Sequence, residues 1–260
     1  MISYFLSAIG DDIHGQLVVE QSKQAGIDLS HCQIVKDGQT ASYLSIVNGD
    51  GEMQTAINDM AIIDKINVNY LQSIKRLINE AELIIFDTNL TQDAIDYICQ
   101  NFSHIPIYVD TVSGVKASKI EHNLNYLNCI MPNLNEAEIL SGIHAKNDGD
   151  LSKIATYFHE KGLQNIYITR GKQGAYFSGM SNGEIHTEHL PALSGDIINA
   201  NGAGDAFMAG LAAAQLSKMS LTNTLIFARA CAFIAAKSEH TINPEMSQAL
   251  VAEYMENNNE

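Results

Sequence analysis

The 260-residue sequence predicts an α/β fold, with a mainly parallel sheet covered by helices. Two observations lead to this prediction. Short apolar runs alternate along the chain with longer segments of helical periodicity, and polar residues recur where the apolar runs end. Uninterrupted apolar runs are typical of strands buried on both faces. The carboxyl ends of such strands form the edge where open α/β sheets bind ligands, so the fold class also predicts where a functional site lies.

The elements follow one another in a regular order. Strands are predicted at residues 4–8, 83–86, 105–109, 129–131 and 166–168. Helices are predicted at residues 15–25, 92–100, 136–140 and 205–216. The last four strands run into polar residues, which are Asp87, Asp110, Asn133 and Thr169. We therefore expect these four side chains at one edge of the sheet.

One stretch departs from this alternation. Residues 33–60 contain two strand-like runs around Asn48-Gly49-Asp50-Gly51, which is a turn sequence typical of β-hairpins. From the residues alone, this hairpin is either an edge decoration or a lid over the active site.

Composition excludes some classes of partner. The formal net charge of -15 argues against a nucleic-acid backbone as partner, because nothing offsets the repulsion between phosphates and the protein. No apolar run reaches the ~20 residues of a membrane span, and the first residues lack the basic segment of a signal peptide. The cysteines show no C-x-x-C spacing and are predicted to be reduced, buried thiols: Cys32, Cys99, Cys129 and Cys231. We expect a soluble cytoplasmic protein, and composition alone selects no function for it.

A glycine-rich turn precedes the helix predicted at 205–216. Gly202-Ala203-Gly204 allows the backbone to turn tightly and to bring several N–H groups close to an anion, and the helix dipole favours negative charge at the same place. Asp205 then has two possible roles, as the carboxylate that orients a hydroxyl for phosphoryl transfer or as an ordinary helix cap. The dipole predicts a lowered pKa for Asp205, so that it is ionised at pH 7.

Two further motifs accompany the glycine turn. Asn133-x-x-Glu136 follows a buried strand and is suited to hold Mg²⁺ through water; the alternative is that Asn135 caps the following helix. Thr169-x-Gly171-x-x-Gly174 lines a nucleotide phosphate or is a plain hairpin connection.

In this order and context, the three motifs resemble those of the ribokinase/PfkB carbohydrate-kinase family. The likeness extends from about residue 6 to the carboxyl end, and three linked motifs are far more specific than any single one. Within the family, the sequence is most similar to the pseudouridine-kinase branch. The segments that show this are residues 40–45, 51–53, 56–60, 110–113 and 243–244.

The resemblance implies a ribokinase-like three-layer α/β/α fold with a mainly parallel sheet and a small β lid. Residues 1–32 and 61–260 would form the kinase domain and residues 33–60 the lid, which often builds a homodimer in this family. The implied activity is phosphorylation of the 5′-hydroxyl of pseudouridine with ATP and Mg²⁺. A ribokinase- or fructokinase-like sugar kinase and a catalytically silent nucleotide-binding relative are the alternatives.

The resemblance also implies roles for individual residues. Asp205 would be the catalytic base, and Gly202, Ala203 and Gly204 the anion hole. Asn133 and Glu136 would hold Mg²⁺. The nucleotide would be lined by Thr169, Gly171, Gly174, Asn201 and Asn243. The nucleoside would lie near Thr40, Ser42 and Tyr43.

The sequence departs from the family pattern in two places. Asn201 stands where Thr is usual and Asn199 where sugar kinases often have Asp, which argues against a monovalent-cation site. Family members also begin with a strand carrying a sugar-binding Asp or Asn and a Gly-Gly segment, whereas Met1 falls just before the strand that should follow them. We therefore expect that the first βα segment, ~30 residues, is absent and that the activity of the 260-residue chain is reduced or lost.

Overall fold

The computed structural model describes residues 2–47, 53–181 and 183–257 of the chain. The chain folds into two compact units. The first comprises Met1–Ala81 and Asn89–Phe102, and the second comprises Glu82–Thr88 and Ser103–Glu260. The predicted division into a kinase domain and a lid at residues 33–60 stays a prediction.

The first unit contains a pair of parallel strands, β1 and β2, and an antiparallel hairpin of β3 and β4. The predicted hairpin is thus confirmed, and its turn at residues 48–51 lies outside the described residues. The elements of this unit are β1 Ala8–Gly10, α1 Ile13–Gln24, β2 Gln33–Val35, β3 Ser42–Val47, β4 Met53–Asp59, α2 Val68–Ser73, α3 Lys75–Asn79 and α4 Gln92–Phe102.

The strand predicted at residues 4–8 is wrong in its bounds. The chain makes only an isolated bridge between Tyr4 and Asp28, and the strand itself begins at Ala8. Tyr4 and Phe5 remain 43% exposed, so their apolar pattern does not mark a buried strand. The helix predicted at residues 15–25 is confirmed and begins earlier, because the Asp12 carboxylate accepts a hydrogen bond from the Gly15 N–H at 2.8 Å and caps it.

The second unit is built on a six-stranded sheet of order β10-β9-β8-β7-β6-β5 within the described residues. Strands β5 to β8 are parallel, and β9 and β10 are antiparallel. The elements of this unit are β5 Ile84–Asp87, β6 Ile107–Asp110, α5 Gly114–Ala117, β7 Cys129–Met131, α6 Leu134–Ser141, α7 Asp148–Glu160, β8 Asn165–Thr169, β9 Ala175–Ser181, β10 Glu184–Leu190, α8 Ala203–Leu216, α9 Leu221–Ala236 and α10 Gln248–Asn257.

The central strands of this sheet are buried as their apolar runs predict. Val109, Ile130 and Ile166 have no exposed surface. Gly210 lets α8 approach α9 closely, because a Cβ at this position would lie 2.7 Å from the Ala228 Cα. The predicted α/β class with a mainly parallel sheet is therefore confirmed. In the described part of the chain, no helix is long and apolar enough to cross a membrane.

Candidate active site

The carboxyl ends of the parallel strands bring the predicted polar residues to one edge of the sheet. Asp87 and Asp110 are register partners at the ends of β5 and β6. One strand further along, Asn133 forms a parallel bridge with Thr169 just beyond β7. The edge predicted to bind ligand therefore carries side chains from four neighbouring strands or the turns that follow them.

Glu136 is fixed at this edge by a capping box at the start of α6. The Asn133 side chain accepts a hydrogen bond from the Glu136 N–H at 2.9 Å, and the Glu136 carboxylate accepts one from the Asn133 N–H at 2.9 Å. The Asn133 amide nitrogen also donates to Glu136 Oε1 at 2.7 Å, and the Thr111 hydroxyl donates to Oε2 at 2.6 Å. The cap is Asn133, so the alternative that placed Asn135 in this role is wrong.

The amino terminus of α8 is open to an anion. Gly202 has a left-handed φ of 82°, and no described side chain caps the helix. A Cβ at Gly202 would lie 2.1 Å from the Thr241 carbonyl oxygen, so only glycine fits this turn. At Gly204 the nearest atom to an added Cβ is the Met131 Cε at 3.9 Å. The first N–H groups of α8 therefore have room for a phosphate oxygen, which fits the binding of ATP.

Asp205 lies in the first turn of α8, and its pKa is shifted in the opposite direction to the one predicted. Although the residue is open to solvent, surrounding protein atoms partly desolvate its carboxylate and raise its pKa, and the charge of Asp87 raises it further. The prediction that the helix dipole lowers this pKa is therefore wrong. A raised pKa makes the carboxylate a better proton acceptor for a hydroxyl.

Asp110 belongs to the same electrostatic neighbourhood. Burial, together with the charges of Asp205, Glu136 and Asp87, raises its pKa to about 6, although a hydrogen bond from the Val112 N–H opposes the rise. Three other carboxylates thus act on Asp110 at this edge.

The donors at this edge fit Mg²⁺ held through water. Mg²⁺ binds oxygen, usually takes one or two carboxylates, and keeps several of its waters. Glu136 is only 5% exposed and already accepts three hydrogen bonds, which leaves it little room for direct coordination. Among the described residues, no three His, Cys, Asp or Glu side chains form a group that could hold a metal ion alone. The fit is therefore to an ion whose remaining ligands are water and phosphate oxygens.

The segment predicted to line a nucleotide forms the connection between β8 and β9. The Arg170 N–H donates to the Gly174 carbonyl at 2.8 Å, which closes a hairpin. Gly174 has a φ of 82°, and a Cβ there would lie 1.9 Å from the Leu190 carbonyl oxygen. At Gly171 the φ is 54° and an added Cβ would meet nothing within 4 Å. Gly174 is therefore required by the hairpin itself, whereas Gly171 faces open space.

Asn201 and Asn243 lie in the loops that flank the glycine turn. The Asn201 N–H donates to the Asn199 side chain at 2.9 Å, and the Asn199 amide in turn donates to the Glu239 carbonyl at 3.2 Å. The Asn243 side chain donates to the Ile234 carbonyl at 3.0 Å and accepts from the Glu245 N–H at 2.9 Å. The side chains of Asn199 and Asn243 thus hold these loops in place, and Asn201 takes part through its backbone N–H.

The residues predicted near the nucleoside lie in the first unit. Thr40 is buried, and its hydroxyl donates to Asp12 at 2.5 Å and accepts from the Gly10 N–H at 3.0 Å. Ser42 and Tyr43 begin β3, and Tyr43 is 55% exposed. Thr40 therefore helps to build the first unit, while Ser42 and Tyr43 present exposed side chains.

Comparison with known proteins identifies the family. The pfkB family of carbohydrate kinases matches residues 2–248, which is nearly the whole chain. The chain belongs to the PfkB carbohydrate-kinase family. The protein is thus a carbohydrate or nucleoside kinase, and a kinase of this family implies the use of ATP.

Individual relatives of this kinase agree with that result. Pseudouridine kinase from Escherichia coli (strain K12) is 38% identical over 255 residues, covering 98% of this chain and 80% of that enzyme. The crystal structure of a protein designated a sugar kinase from Clostridium perfringens superposes with a TM-score of 0.84 at 31% identity, covering 98% of this kinase and 79% of that chain. Arabidopsis thaliana ribokinase, complexed with ribose and ATP, has a TM-score of 0.80 at 18% identity, with 98% and 82% covered. The predicted ribokinase-like fold is confirmed.

Sequence reasoning placed the edge correctly but omitted three of its residues from the predicted site of this kinase. Asp87, Asp110 and Thr111 all lie at or directly beyond the ends of β5 and β6. The position of a polar residue at the carboxyl end of an apolar run placed Asp87 and Asp110 at this edge, and the same signal could have assigned all three residues to the site.

Proposed function

We propose that the kinase transfers the γ-phosphoryl group of ATP to the 5′-hydroxyl of pseudouridine, which yields pseudouridine 5′-phosphate and ADP. The observation that supports the chemistry is the uncapped amino terminus of α8 with Asp205 in its first turn. Its carboxylate is within electrostatic reach of Asp87. The identity of 38% with a pseudouridine kinase supports the choice of acceptor.

Asp205 is the catalytic base of this proposal. Its carboxylate accepts a hydrogen bond from the 5′-hydroxyl, which orients the hydroxyl oxygen, and it takes the proton as that oxygen bonds to phosphorus. The raised pKa of Asp205 suits this role, because a stronger base holds the transferred proton better. The N–H groups of Ala203 and Gly204 stabilise negative charge on the transferred group.

The remaining residues of the proposed site bind and position ATP, the metal ion and the nucleoside. ATP supplies the phosphoryl group, and Mg²⁺ would offset the charge of its phosphates when bound. Asn133 and Glu136 would hold the waters around the metal. The nucleotide is lined by residues of the β8–β9 connection and of the loops around α8, which are Thr169, Gly171, Gly174, Asn201 and Asn243. The nucleoside lies near Thr40, Ser42 and Tyr43.

We further propose that the β3–β4 hairpin acts as a lid and joins two copies of the chain in a homodimer. Leu44 and Ile57, which are directly opposite each other in the hairpin, are 62% and 65% exposed.

The protein would work in the cytoplasm, which suits its four free cysteines.

Turnover by the purified protein with ATP and Mg²⁺ tests the function. ADP formation is measured with pseudouridine, uridine, ribose and fructose as acceptors. We expect the highest kcat/KM with pseudouridine. Phosphorylation of ribose or fructose but not of pseudouridine would show a sugar kinase instead.

The variant Asp205→Asn tests the mechanism in the same assay. Because the amide cannot accept the proton, we expect kcat to fall by about 10²–10⁴-fold while ATP affinity changes little. ATP binding by the wild-type protein without turnover of any acceptor would indicate a catalytically silent relative.

A further inference from the structure

The turn after β6 has a backbone conformation that a β-branched residue seldom adopts. Val112 has a φ of 58°, which lies in the left-handed region. The turn is held by two short-range hydrogen bonds, from the Val112 N–H to the Asp110 side chain at 2.9 Å and from the Ser113 N–H to the Thr111 carbonyl at 2.6 Å. Strained residues of this kind persist where the surroundings over-determine them, and they cluster at functional sites.

The strained turn places Thr111 in a buried chain of hydrogen bonds. The Thr88 hydroxyl donates to the Thr111 carbonyl at 2.6 Å, and the Thr111 hydroxyl donates to Glu136 Oε2 at 2.6 Å. Neither threonine has any exposed surface. The Lys119 ammonium donates to the Thr88 carbonyl at 3.0 Å, which fixes the far end of the chain.

The hydrogen bonds of Glu136 distinguish its two oxygens. Oε2 accepts from the Thr111 hydroxyl and from the Asn133 N–H, while Oε1 accepts only from the Asn133 amide among the contacts of the described residues. A carboxylate oxygen offers two acceptor sites. Oε2 is therefore filled, and Oε1 keeps one site for a water molecule.

We infer that Thr111 is a positioning residue for phosphoryl transfer, because its hydroxyl occupies Oε2 of Glu136 and leaves Oε1 to hold the water that surrounds the metal. This inference rests on the proposed role of Glu136. The reading against it is that Thr111 only satisfies a buried carboxylate and contributes to stability.

Two variants of Thr111 separate these readings. Thr111→Val keeps the shape and removes the hydroxyl, and Thr111→Ser keeps the hydroxyl. Ser178→Ala is the matched control, because it removes a buried hydrogen bond of 2.8 Å to His159 in the same unit. For each protein, we would measure the Mg²⁺ concentration that gives half-maximal turnover, the affinity for Mn²⁺ in the presence of ADP by calorimetry, and the Tm in EDTA.

We expect Thr111→Val to weaken Mg²⁺ activation and Mn²⁺ affinity by about tenfold, as is usual when a partner of a metal-holding group is removed. Thr111→Ser should restore most of both values. Ser178→Ala should lower the Tm and leave both metal constants unchanged. A Thr111→Val protein that loses Tm as Ser178→Ala does, with unchanged metal constants, would overturn the inference.

Two further measurements keep the test decisive. If Thr111→Val does not fold, Thr88→Val is used instead, because it removes the donor to the Thr111 carbonyl and keeps the Thr111 hydroxyl. It should weaken Mg²⁺ activation and Mn²⁺ affinity by a smaller factor than Thr111→Val. No shift would overturn the inference. If the wild type phosphorylates another acceptor, Mg²⁺ activation is measured with that acceptor. If it phosphorylates none, the Mn²⁺ affinity alone tests the role of Thr111. Failure of the proposed substrate is therefore distinguishable from failure of the role of Thr111.

Discussion

Asp205 and Asp110 carry pKa values set by neighbouring groups that sequence position does not reveal. The helix dipole contributes only about 0.3–1 kcal/mol to a nearby charge. At Asp205, the dipole is outweighed by partial desolvation and by the charge of Asp87. At Asp110, burial is the largest cause, and three other carboxylates add to it. Both shifts arise at the edge of the sheet where β5 and β6 end in acids, because the charge of Asp87 acts on Asp110 and on Asp205 in the first turn of α8.

The difference in stability between the variant Asp110→Asn and the wild type should depend on pH. The pKa of Asp110 rises from 3.8 to about 6 on folding, so ionisation disfavours the folded state and stability is lost as pH rises through this interval. Asparagine keeps the acceptor for the Val112 N–H and cannot ionise. We expect the free energy of unfolding of Asp110→Asn to exceed that of the wild type by up to about 3 kcal/mol near pH 8, by roughly half of that near pH 5 and by little near about pH 3, measured by thermal unfolding in EDTA.

Asp12→Asn is the control, because folding shifts the pKa of Asp12 in the opposite direction to that of Asp110. Hydrogen bonds from the Thr40 side chain and backbone lower the pKa of Asp12 to about 2, so its contribution to stability is complete above 3.8 and is lost only as pH falls toward 2. Its variant should be less stable than the wild type by a constant amount between about pH 5 and 8. A pH-independent difference for Asp110→Asn would contradict the assignment.

The start of α8 shows how one element combines a structural and a functional demand for glycine. Gly202 is needed for the backbone, because its φ is 82° and the Thr241 carbonyl lies where a Cβ would be. Gly204 has no such need, since it lies inside the helix and an added Cβ would meet only the Met131 Cε at 3.9 Å. The phosphate site that we propose at the helix terminus would account for its small size.

Gly204→Ala should therefore separate stability from activity. Replacing a helical glycine by alanine adds about 0.5–1 kcal/mol of stability, while the added methyl takes space at the anion site and should lower kcat/KM by at least about tenfold. Gly26→Ala is the control, because its φ of 74° is left-handed but an added Cβ meets nothing within 4 Å. It should lose about 1 kcal/mol and keep its activity, and Gly202→Ala should lose more. Full activity in Gly204→Ala would argue against an anion hole at this position.

The sequence predicts the elements of this chain well where burial enforces a pattern. The run Cys129–Met131 is buried on both faces and coincides with β7. The sequence predicts the elements poorly where an apolar pattern stays exposed, as at Tyr4. It also predicts them poorly where two short polar side chains could each cap the same helix, as at Asn133 and Asn135. The hydrogen bond from Thr111 to Glu136 joins residues 25 apart in sequence, and no local pattern reveals it.

At the scale of the whole molecule, the net charge of -15 opposes association of two copies through charged surfaces. An apolar contact surface avoids this repulsion. The face of the β3–β4 hairpin that carries Leu44 and Ile57 also carries Ile46, which is 46% exposed. A two-stranded hairpin has little independent stability in water, so burial of this face against a second copy would stabilise it.

The mass of the protein in solution tests this association. We expect the wild type to elute with about twice the monomer mass of 28.4 kDa and the variant L44D/I57D to elute as a monomer, because each added carboxylate would be desolvated in an apolar interface. Val115→Asp is the matched control, since Val115 is 87% exposed and lies in the second unit; it should leave the mass unchanged. Added salt should tighten the wild-type dimer, because screening reduces repulsion between two acidic chains while the apolar contact is unaffected. A monomeric wild type, or a dimer that survives L44D/I57D, would place the exposed hairpin face outside any interface between copies.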